Sequence, residues 1–524
     1  MNDLPPFSHT PADEISSVHD RVVSSFLKHK TRTIEYRLKQ LRSLYWGIKD
    51  EEPALTEALK LDLGKSAYEA YLSEIGWCLN DILFVCTNLE KWMKDESAPD
   101  IPLTNLLMRP RIRKDPLGAV LIIGAYNFPY QLTLGPLIGA IAAGCTAVIK
   151  PSENAPHAAR IMQHIVEQSL DSEAYRVVQG AIPETTALLE QKWDKIFYTG
   201  NATVGKIIAK KAAETLTPVT LELGGRNPAI VSKNADTKLA ARRVLWTKLF
   251  NAGQVCVSQN YVMVDREVLP AFLHELGVAL KEFQPKGAKD NEDYSHIINE
   301  RQWSRLKTML DSTNGKVIYG GHADKETLLF EPTVVQVESA DDALIKEESF
   351  GPLIPILPVS NLEEAIRTAN EVHATPLGLY TFGTNAENAK VLAETRSGGA
   401  TMNDAMFHAS MPTLAFGGVG DSGQGAYRGK SSFDSFTHRR SVTQTPGWME
   451  GMLAVRYPPY TAEKLKKLKQ MQDLKPDFDR QGKVKRSLLW LLLSMGGKGT
   501  TSVGVRWAVL VSLVAIGSRL VASR

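Results

Sequence analysis

Four short apolar segments alternate with helical segments between residues 115 and 217, and this alternation constrains the fold more than any other feature. The apolar segments are AVLIIGA, TAVIK, YRVVQG and KIFYTG, and a stretch with helical periodicity follows each of them. Alternating strands and helices favour a parallel sheet that is covered by helices on both faces. The region therefore predicts a doubly wound α/β domain of the kind that binds dinucleotides.

Two further regions flank this domain. Residues 15–97 carry apolar positions at three- and four-residue spacing, which is typical of helices. The α/β alternation resumes at PVTLELGG and continues to about Ser410, with strands expected near NYVMVD and FGPLIPILPV. These patterns predict a second α/β domain. The stretch 461–485 is lysine-rich and is predicted to be helical.

Composition excludes several classes of protein. The chain has 524 residues, 43% of them hydrophobic and 23% charged, and a net charge of +3. This balance is ordinary for a globular protein and predicts no nucleic-acid partner. The four cysteines form no CxxC pair and no metal-ligand spacing with histidine, so we expect neither a metal site nor a disulfide framework. The acidic, proline-bearing N-terminus has no signal- or transit-peptide pattern.

One cysteine differs from the other three in its surroundings. Cys78 and Cys86 lie on apolar helical faces and Cys145 lies beside a strand, so we expect these three to be small buried hydrophobic residues. Cys256, in NAGQVCVSQNYV, follows a polar loop whose glycine would let the backbone approach a ligand closely. The sequence makes Cys256 the candidate nucleophile.

Two polar residues could assist such a thiol. Glu222, in TLELGGRNP, is an acid within an apolar strand pattern, where burial would raise its pKa toward that of a general base. A salt-bridged structural acid is the alternative. Asn127, in AYNFPY, follows a strand end, where its amide could donate to an oxyanion. A turn asparagine before Phe-Pro is the alternative there.

Two segments are candidates for binding a cofactor. GNATVG joins a strand to a helix N-terminus, which favours a phosphate group, although it is not the GxGxxG fingerprint. KPSE follows the strand TAVIK, and its Lys150 and Glu153 could hold ribose hydroxyls.

Taken together, these segments resemble the aldehyde dehydrogenase family, and most closely the class that includes membrane-bound fatty aldehyde dehydrogenases. From about residue 20 to about residue 460, the family's motifs occur in order: AYNFPY, KPSE, YTGNATVG, LELGGRNP, GQVC, EESFGP, FGGVGDSG, SFTHRRS and RYPPY. The resemblance implies that Cys256 is the nucleophile, that Glu222 is the deacylating base, and that Asn127 and the Cys256 N–H form the oxyanion hole. It also implies that Lys150 and Glu153 contact the adenosine ribose, that Gly200, Asn201 and Gly205 form the pyrophosphate turn, and that Glu348 and Phe350 hold the nicotinamide ribose.

The same resemblance implies the domain boundaries and a likeness to enzymes that form homodimers. The expected parts are 1–97, the N-terminal helical part of the cofactor domain; 98–217, a Rossmann-like NAD-binding domain; 218–410, a catalytic domain; 411–460, a return to the cofactor domain with an oligomerisation strand; and 461–524, a basic collar and a membrane-associating tail. Within the motifs, Arg226, Asn201, Tyr126, Ser258 and Gln259 depart from the commoner family residues. Ser258 and Gln259 put the substrate, not the activity, in doubt.

Residues 486–524 contain no acidic residue and hold two apolar runs, 488–495 and 507–517. As a helix, 503–521 would rise about 28 Å, close to the thickness of a bilayer core. A spanning anchor, an interfacial helix pair and burial within the protein are the three alternatives. We expect membrane association through this tail, with the catalytic domain facing the cytosol. The endoplasmic reticulum, lipid droplets and the mitochondrial outer membrane all remain open.

The expected function is NAD-dependent oxidation of long-chain lipophilic aldehydes, with fatty aldehydes first, to carboxylic acids through a thiohemiacetal and a thioester on the cysteine. Glu153 would repel a 2′-phosphate, so NAD is expected over NADP. A polyene apocarotenoid aldehyde is the alternative substrate. An acyl-transferring enzyme is disfavoured because Glu222 serves hydrolysis, and a non-catalytic membrane scaffold is disfavoured because Cys256, Glu222 and Asn127 are all present.

Overall fold

A computed structural model of the protein describes residues 6–472, 476–484 and 506–510. The chain divides into two compact units. The first comprises Met1–Glu96 with Arg111–Val442, and the second comprises Ser97–Pro110 with Thr443–Arg524.

The first unit opens with helices, as the periodicity of residues 15–97 predicts. Apolar residues such as Val22, Leu41 and Leu59 are buried on their inner faces. The helices, including one 3₁₀ and one π segment, are Ala12–Leu27, Lys30–Arg32, Ile34–Asp50, Glu52–Leu63, Ala67–Ala70, Tyr71–Ile75 and Gly76–Met93.

A six-stranded sheet follows, and it confirms the four strands predicted between residues 115 and 217. All its neighbours are parallel except the first pair. In spatial order its strands are Gly423–Gln424, Val219–Leu223, Lys195–Gly200, Ala119–Ile123, Thr146–Lys150 and Tyr175–Val177. The helices between them are Gln131–Ala143, Pro156–Ser169, Ile182–Leu189 and Ala202–Glu214.

Side chains of the central strands show that both faces of this sheet are covered. Val120 and Ile122 belong to one hydrophobic cluster, whereas Ala119, Leu121 and Ile123 belong to another. Successive residues of a strand point to opposite faces, so the alternation means that each face is packed. This is the doubly wound architecture that the sequence predicts.

A seven-stranded sheet forms the second α/β part of this unit. It is parallel except for its first pair. In spatial order its strands are Lys316–Tyr319, Thr333–Gln336, Leu353–Val359, Tyr261–Asp265, Pro228–Val231, Gly378–Phe382 and Gly399–Met402. Its helices are Thr237–Leu249, Leu269–Phe283, Glu300–Asp311, Ala343–Lys346, Leu362–Val372, Asn385–Glu394 and Phe407–Ser410.

The strand that carries Glu222 joins a different sheet from the one expected. The sequence places PVTLELGG at the start of the second α/β region, but Val219–Leu223 pairs in parallel with Lys195–Gly200 in the first sheet. An apolar strand pattern does not specify its hydrogen-bond partners, so the local signal could not assign the sheet. Glu222 therefore lies near the carboxyl end of a strand in the six-stranded sheet.

The helix Pro156–Ser169 begins without a side-chain cap of its own, because its N-cap residue is Ala155. The Asp62 carboxylate instead accepts hydrogen bonds from the first free backbone N–H groups of that helix. The cap comes from a residue distant in sequence, which no local pattern reveals.

An antiparallel pair completes the first unit. Arg111–Pro116 pairs with Thr437–Val442 over six residue pairs, from Pro116 with Thr437 to Arg111 with Val442. Thr437–Val442 falls within the stretch for which the resemblance implies an oligomerisation strand, and that role stays a prediction.

The second unit contains short helices and one longer helix, Leu103–Met108, Gly447–Met449, Glu450–Leu453, Ala454–Arg456 and Ala462–Gln472. Helix Ala462–Gln472 confirms the first half of the predicted helical stretch 461–485. The second half is wrong, because Phe478 and Val484 form an antiparallel bridge around a turn at Gly482, whose φ is +77°. Pro476 and a left-handed glycine both oppose a helix.

No helix within the described ranges is long and apolar enough to cross a membrane. The predicted tail, 486–524, lies outside the described residues except for 506–510, which are helical.

Candidate active site

Cys256 lies just beyond a tight backbone turn that follows helix Thr237–Leu249. Asn251, Ala252 and Gly253 all have positive φ, at 50°, 48° and 70°. A Cβ on Gly253 would lie 2.3 Å from the carbonyl oxygen of Gly351. Glycine is therefore required here. It makes room for another part of the protein's own backbone, whereas the sequence predicted the close approach of a ligand.

A side-chain amide supports the loop from the other side. Asn227 Nδ2 donates to the carbonyl oxygens of Cys256 and Ser258, each at 2.8 Å. These two bonds hold the backbone on both sides of Val257, so the thiol is carried on a braced loop.

Cys256 lines a cavity of about 430 Å³, together with its neighbours Val255 and Val257. Most of the other lining residues are apolar. The aromatic ones are Tyr71, Trp77, Phe128, Trp246, Phe250, Phe407, Phe416 and Tyr427. A cavity of this size and lining suits an apolar organic ligand.

The other cysteines are not placed in this way. Cys78 and Cys145 are buried, as predicted, and Cys86 is half-buried, like Cys256, and packs against the core. Exposure alone does not separate Cys86 from Cys256. Position in the cavity wall does.

Burial and two nearby carboxylates act on the Cys256 thiol. Burial, then Glu348, then Glu222, raises its pKa to about 12. Thiolate is the reactive form, so in this state the thiol needs a base or a nearby positive charge to become nucleophilic.

Glu222 is buried and unpaired. Burial raises the pKa of its carboxyl well above the usual range, and the backbone N–H of Gly418 offsets this only in part. Within the part of the chain that the structure describes, neither carboxylate oxygen of Glu222 accepts a well-aligned hydrogen bond. No cationic side chain of that part lies within 4.0 Å of them. The alternative of a salt-bridged structural acid is therefore wrong. A protonatable carboxyl near a thiol is the arrangement expected of a general base.

Glu348 is the second buried acid near the thiol. Burial raises the pKa of its carboxyl to about 7. The backbone N–H of Gly225 and the positive charges of Lys248 and Arg305 act in the opposite direction. Its carboxylate lies over Gly224, where a Cβ would approach to 2.1 Å. A side chain at Gly224 would displace Glu348.

Phe350 follows in the same loop, with a left-handed φ of 49°. Its ring meets the Tyr126 ring edge-to-face, with centroids 6.0 Å apart. Tyr126 directly precedes Asn127, so the loop that carries Glu348 and Phe350 contacts the loop that carries the candidate oxyanion donor.

Asn127 is buried against the nucleophile loop. Its Nδ2 donates to the carbonyl oxygen of Gln254 at 3.0 Å, and Asn251 Nδ2 donates to the carbonyl oxygens of both Asn127 and Gln254. The structure thus places the Asn127 side chain against Gln254, two residues before Cys256. In this structure the Asn127 amide donates to the protein itself.

A fully buried ion pair braces the Asn127 loop, and the sequence analysis missed it. Lys65 Nζ lies 2.5 Å from Glu74 Oε1, donates to the Asn127 carbonyl oxygen at 2.9 Å and stands 4.2 Å from the centroid of the Phe128 ring. Glu74 Oε2 accepts from the Tyr130 N–H at 2.8 Å. Glu74, like Glu222, is an acid among apolar residues. The same sequence pattern that made Glu222 a candidate could therefore have identified Glu74.

The candidate cofactor residues of the KPSE and GNATVG segments lie at, or just beyond, the carboxyl ends of two strands of the six-stranded sheet, Thr146–Lys150 and Lys195–Gly200. Lys150 uses all three of its donors within the protein, on the carbonyl oxygens of Pro151 and Gly180 and on the carboxylate of Glu153. Glu153 keeps 35% of its side chain exposed. Of this pair, Glu153 is the one with acceptor atoms available to a ligand.

The GNATVG turn has the expected form. Asn201 caps helix Ala202–Glu214, its Oδ1 accepting from the Val204 N–H at 3.0 Å. A Cβ on Gly205 would meet a Leu223 methyl at 2.8 Å, and one on Gly200 would meet the Tyr198 hydroxyl at 2.2 Å. The glycines thus allow close packing of the helix on the sheet, and the helix N-terminus is oriented for an anionic group.

Residues 7–442 match the aldehyde dehydrogenase family model. The chain belongs to the aldehyde dehydrogenase family. It is 51% identical to a β-apo-4′-carotenal oxygenase of Neurospora crassa over 514 residues, which cover 97% of this chain and 96% of that protein. It is 42% identical to a dimeric NADP-preferring aldehyde dehydrogenase of Canis lupus familiaris, over 86% of this chain and 99% of that one.

A solved structure gives the same result. The substrate-bound state of Staphylococcus aureus AldH superimposes with a TM-score of 0.84 at 38% identity, over 88% of this chain and 99% of that chain. The α/β aldehyde dehydrogenase fold and the assignment as an enzyme of this family are thereby confirmed.

As an aldehyde dehydrogenase, the protein uses a nicotinamide cofactor. A partly exposed carboxylate at one strand end and a capped, glycine-lined helix N-terminus at another suit the ribose and phosphate groups of a dinucleotide. Within the described residues, no cluster of three or more His, Cys, Asp or Glu side chains could hold a metal ion.

Proposed function

We propose that this aldehyde dehydrogenase oxidises a long polyene aldehyde of the apocarotenoid class to the corresponding carboxylic acid, with NAD as the preferred cofactor. The cavity at Cys256 carries the proposal, because eight aromatic side chains line it and could stack on a conjugated chain. The high identity to a β-apo-4′-carotenal oxygenase over almost the whole chain supports the same substrate class.

Cys256 is proposed as the nucleophile. Its sulfur, as a thiolate that has lost its proton to solvent, adds to the aldehyde carbon, and the carbonyl oxygen becomes the thiohemiacetal oxyanion. The Asn127 amide and the Cys256 N–H would stabilise this oxygen, which requires the Asn127 amide to exchange its bond with Gln254 for one with the substrate.

When bound, the nicotinamide supplies a hydride acceptor. Glu153, Asn201 and Glu348 are proposed to hold the cofactor, with Gly200 and Gly205 framing the turn that receives its pyrophosphate. Oxidation leaves the acyl group on Cys256 as a thioester. The Glu222 carboxylate then takes a proton from water, the hydroxide adds to the thioester, and the carboxylic acid leaves as Glu222 returns its proton to the Cys256 thiolate. The raised pKa of Glu222 suits it to hold this proton.

NAD is proposed over NADP because the exposed Glu153 carboxylate would face a 2′-phosphate. The NADP preference named for a 42% identical relative makes this point worth testing directly. A homodimer joined through Thr437–Val442 and membrane association through 486–524 complete the proposal.

A second candidate substrate is a long saturated aldehyde, and the apolar sequence of residues 486–524 favours it. An enzyme attached to a membrane would meet fatty aldehydes dissolved there, and several of the cavity's walls, such as Leu72 and Leu132, are aliphatic.

One assay distinguishes the two. Full-length protein in detergent is given NAD with a short aliphatic aldehyde, hexadecanal or a C35 polyene aldehyde, and NADH and the acid product are measured. We expect the highest kcat/KM with the polyene. Efficiency that rises with alkyl length and is low with the polyene would favour the fatty aldehyde.

Cys256→Ala should abolish acid formation, whereas Cys86→Ala, at the other half-buried cysteine, should leave it intact. Turnover by Cys256→Ala would contradict the nucleophile assignment.

The tail is tested separately. Removing 486–524 should release the protein from vesicles while activity on short aldehydes is retained. A truncated protein that still sediments with vesicles would show that the tail is not the anchor.

A further inference from the structure

A charged side chain stands in the wall of the largely apolar aldehyde cavity. Arg428 lines the cavity yet is only 7% exposed, and Asp81 and Trp77 line it beside Arg428. Burying a guanidinium is costly unless it is paired. The reaction proposed for Cys256 uses none of these three residues, so their arrangement requires a separate explanation.

Three contacts fix the position of the guanidinium. Its Cζ lies 3.5 Å from the centroid of the Trp77 ring, and its Nη2 lies 3.3 Å from Asp81 Oδ1 and donates to the Ser410 carbonyl oxygen at 3.0 Å. Arg428 also has a left-handed φ of 84°, which is unusual for a residue with a side chain. The surrounding structure thus determines where this arginine points.

The free N–H groups of Arg428 show that it does not hold a ligand directly. Nε and Nη1 are inaccessible, and they find no hydrogen-bond acceptor in the described part of the chain. An anchor for a carboxylate or hydroxyl on the substrate would present such groups to the cavity. The guanidinium therefore acts on the ring that it covers.

We propose that Arg428 is a positioning residue that holds the Trp77 ring as a flat wall of the cavity and thereby favours flat conjugated aldehydes over flexible saturated ones. The proposal rests on the proposed aldehyde oxidation and names the residues that select its substrate class. The guanidinium lies over the Trp77 ring, and the half-buried Trp77 side chain lines the cavity.

The physical reason is the entropy of binding. A ring that is already held loses little freedom when a substrate stacks on it. A conjugated chain is itself rigid and flat, so it gains the whole contact. A saturated chain of equal length must first give up its rotations, and it gains less from a planar surface.

The experiment uses two ten-carbon aldehydes, decanal and 2,4,6,8-decatetraenal, with the full chain and NAD. The two differ in intrinsic reactivity, but this difference cancels when each variant is compared with the wild type. Arg428→Lys keeps the charge and removes the planar stacking group. The same Arg→Lys exchange at Arg367, exposed on helix Leu362–Val372 in an ion pair with Glu371, is the matched control.

Arg428→Lys should lower kcat/KM for the tetraenal about fivefold relative to decanal, which is the scale of one cation–π contact. The loss should appear in KM with kcat nearly unchanged, since stacking acts on bound substrate and transition state alike. Trp77→Leu should give a similar loss, and the double variant should add little, because both changes remove one interaction. Arg367→Lys should leave the ratio unchanged.

Two results would overturn the proposal: an unchanged tetraenal-to-decanal ratio in Arg428→Lys and Trp77→Leu, whether or not activity on both aldehydes falls, or fully additive effects of the two substitutions. If Arg428→Lys does not fold, as judged by its melting temperature, Trp77→Leu and Trp77→Phe decide, with Phe expected to keep part of the preference. Wild-type protein that oxidises neither aldehyde would contradict the proposed function instead.

Discussion

Replacing Lys65 by methionine should destabilise the protein by about 3–5 kcal/mol, the cost of leaving one member of a buried ion pair without its partner. Both side chains are 0% exposed, and Nζ and Oε1 are 2.5 Å apart. At an effective dielectric constant of about 20, their attraction is about 7 kcal/mol, which roughly offsets the several kcal/mol needed to dehydrate each ion. Removing one partner loses the attraction and keeps the other's desolvation cost.

The neighbouring contacts add to this cost. Lys65→Met also removes the donor to the Asn127 carbonyl oxygen and the cation over Phe128. Glu74→Gln keeps an acceptor for the Tyr130 N–H but leaves Lys65 buried and unpaired. The double variant Lys65→Met/Glu74→Gln removes both charges of the pair, so it should be more stable than the sum of the single losses by about 2–3 kcal/mol.

The assay is urea unfolding followed by tryptophan fluorescence for the four proteins of this cycle. The control cycle is Lys390→Met with Glu363→Gln, an ion pair whose side chains are 37% and 61% exposed. Exposed pairs contribute about 0–1 kcal/mol. If Lys65→Met costs no more than Lys390→Met, or if the double variant equals the sum of the singles, the assignment of this pair as a buried brace is refuted.

Three further predictions concern the site itself. Glu222→Gln should slow steady-state turnover about 10²–10⁴-fold, because deacylation loses its base, while one equivalent of NADH per site still forms in a rapid burst. Stopped-flow absorbance measures this burst, and its absence would contradict the prediction. In the cofactor-free protein, Cys256 should react with iodoacetamide at pH 8 more than about a hundredfold slower than free cysteine, since a thiol with a pKa of about 12 is rarely ionised at that pH. The rate should keep rising above about pH 9, and a plateau near about pH 8.5 would contradict the raised pKa. Glu153→Gln should lower KM for NADP while changing KM for NAD little, and an equal change in both would remove charge repulsion as the basis of preference.

Local sequence was sufficient for the parts of the molecule that depend on near neighbours. The strands at Ala119, Thr146 and Lys195 are visible as short apolar runs, because burial on both sheet faces demands apolar side chains at every position. Cys256 stood out by its polar, glycine-bearing approach, and Glu222 by an acid in an apolar strand. Each signal is carried by a few consecutive residues.

Other features depend on residues far apart in the chain, and only the tertiary structure decided them. Glu222 joins the first sheet because its strand pairs with Lys195–Gly200, a choice that hydrogen bonding between strands makes. The Lys65 ammonium meets the Asn127 carbonyl oxygen across 62 residues. The Arg428 guanidinium covers Trp77 from the other end of the unit's sequence.

The sequence by itself determined the order of strands and helices, the family motifs and the choice of Cys256 as the candidate nucleophile, because these follow from side-chain chemistry and short-range periodicity. The tertiary structure decided which sheet each strand enters, which buried charges are paired and which rings line the cavity. Those features are set by packing and desolvation, which act between surfaces that meet only when the chain has folded.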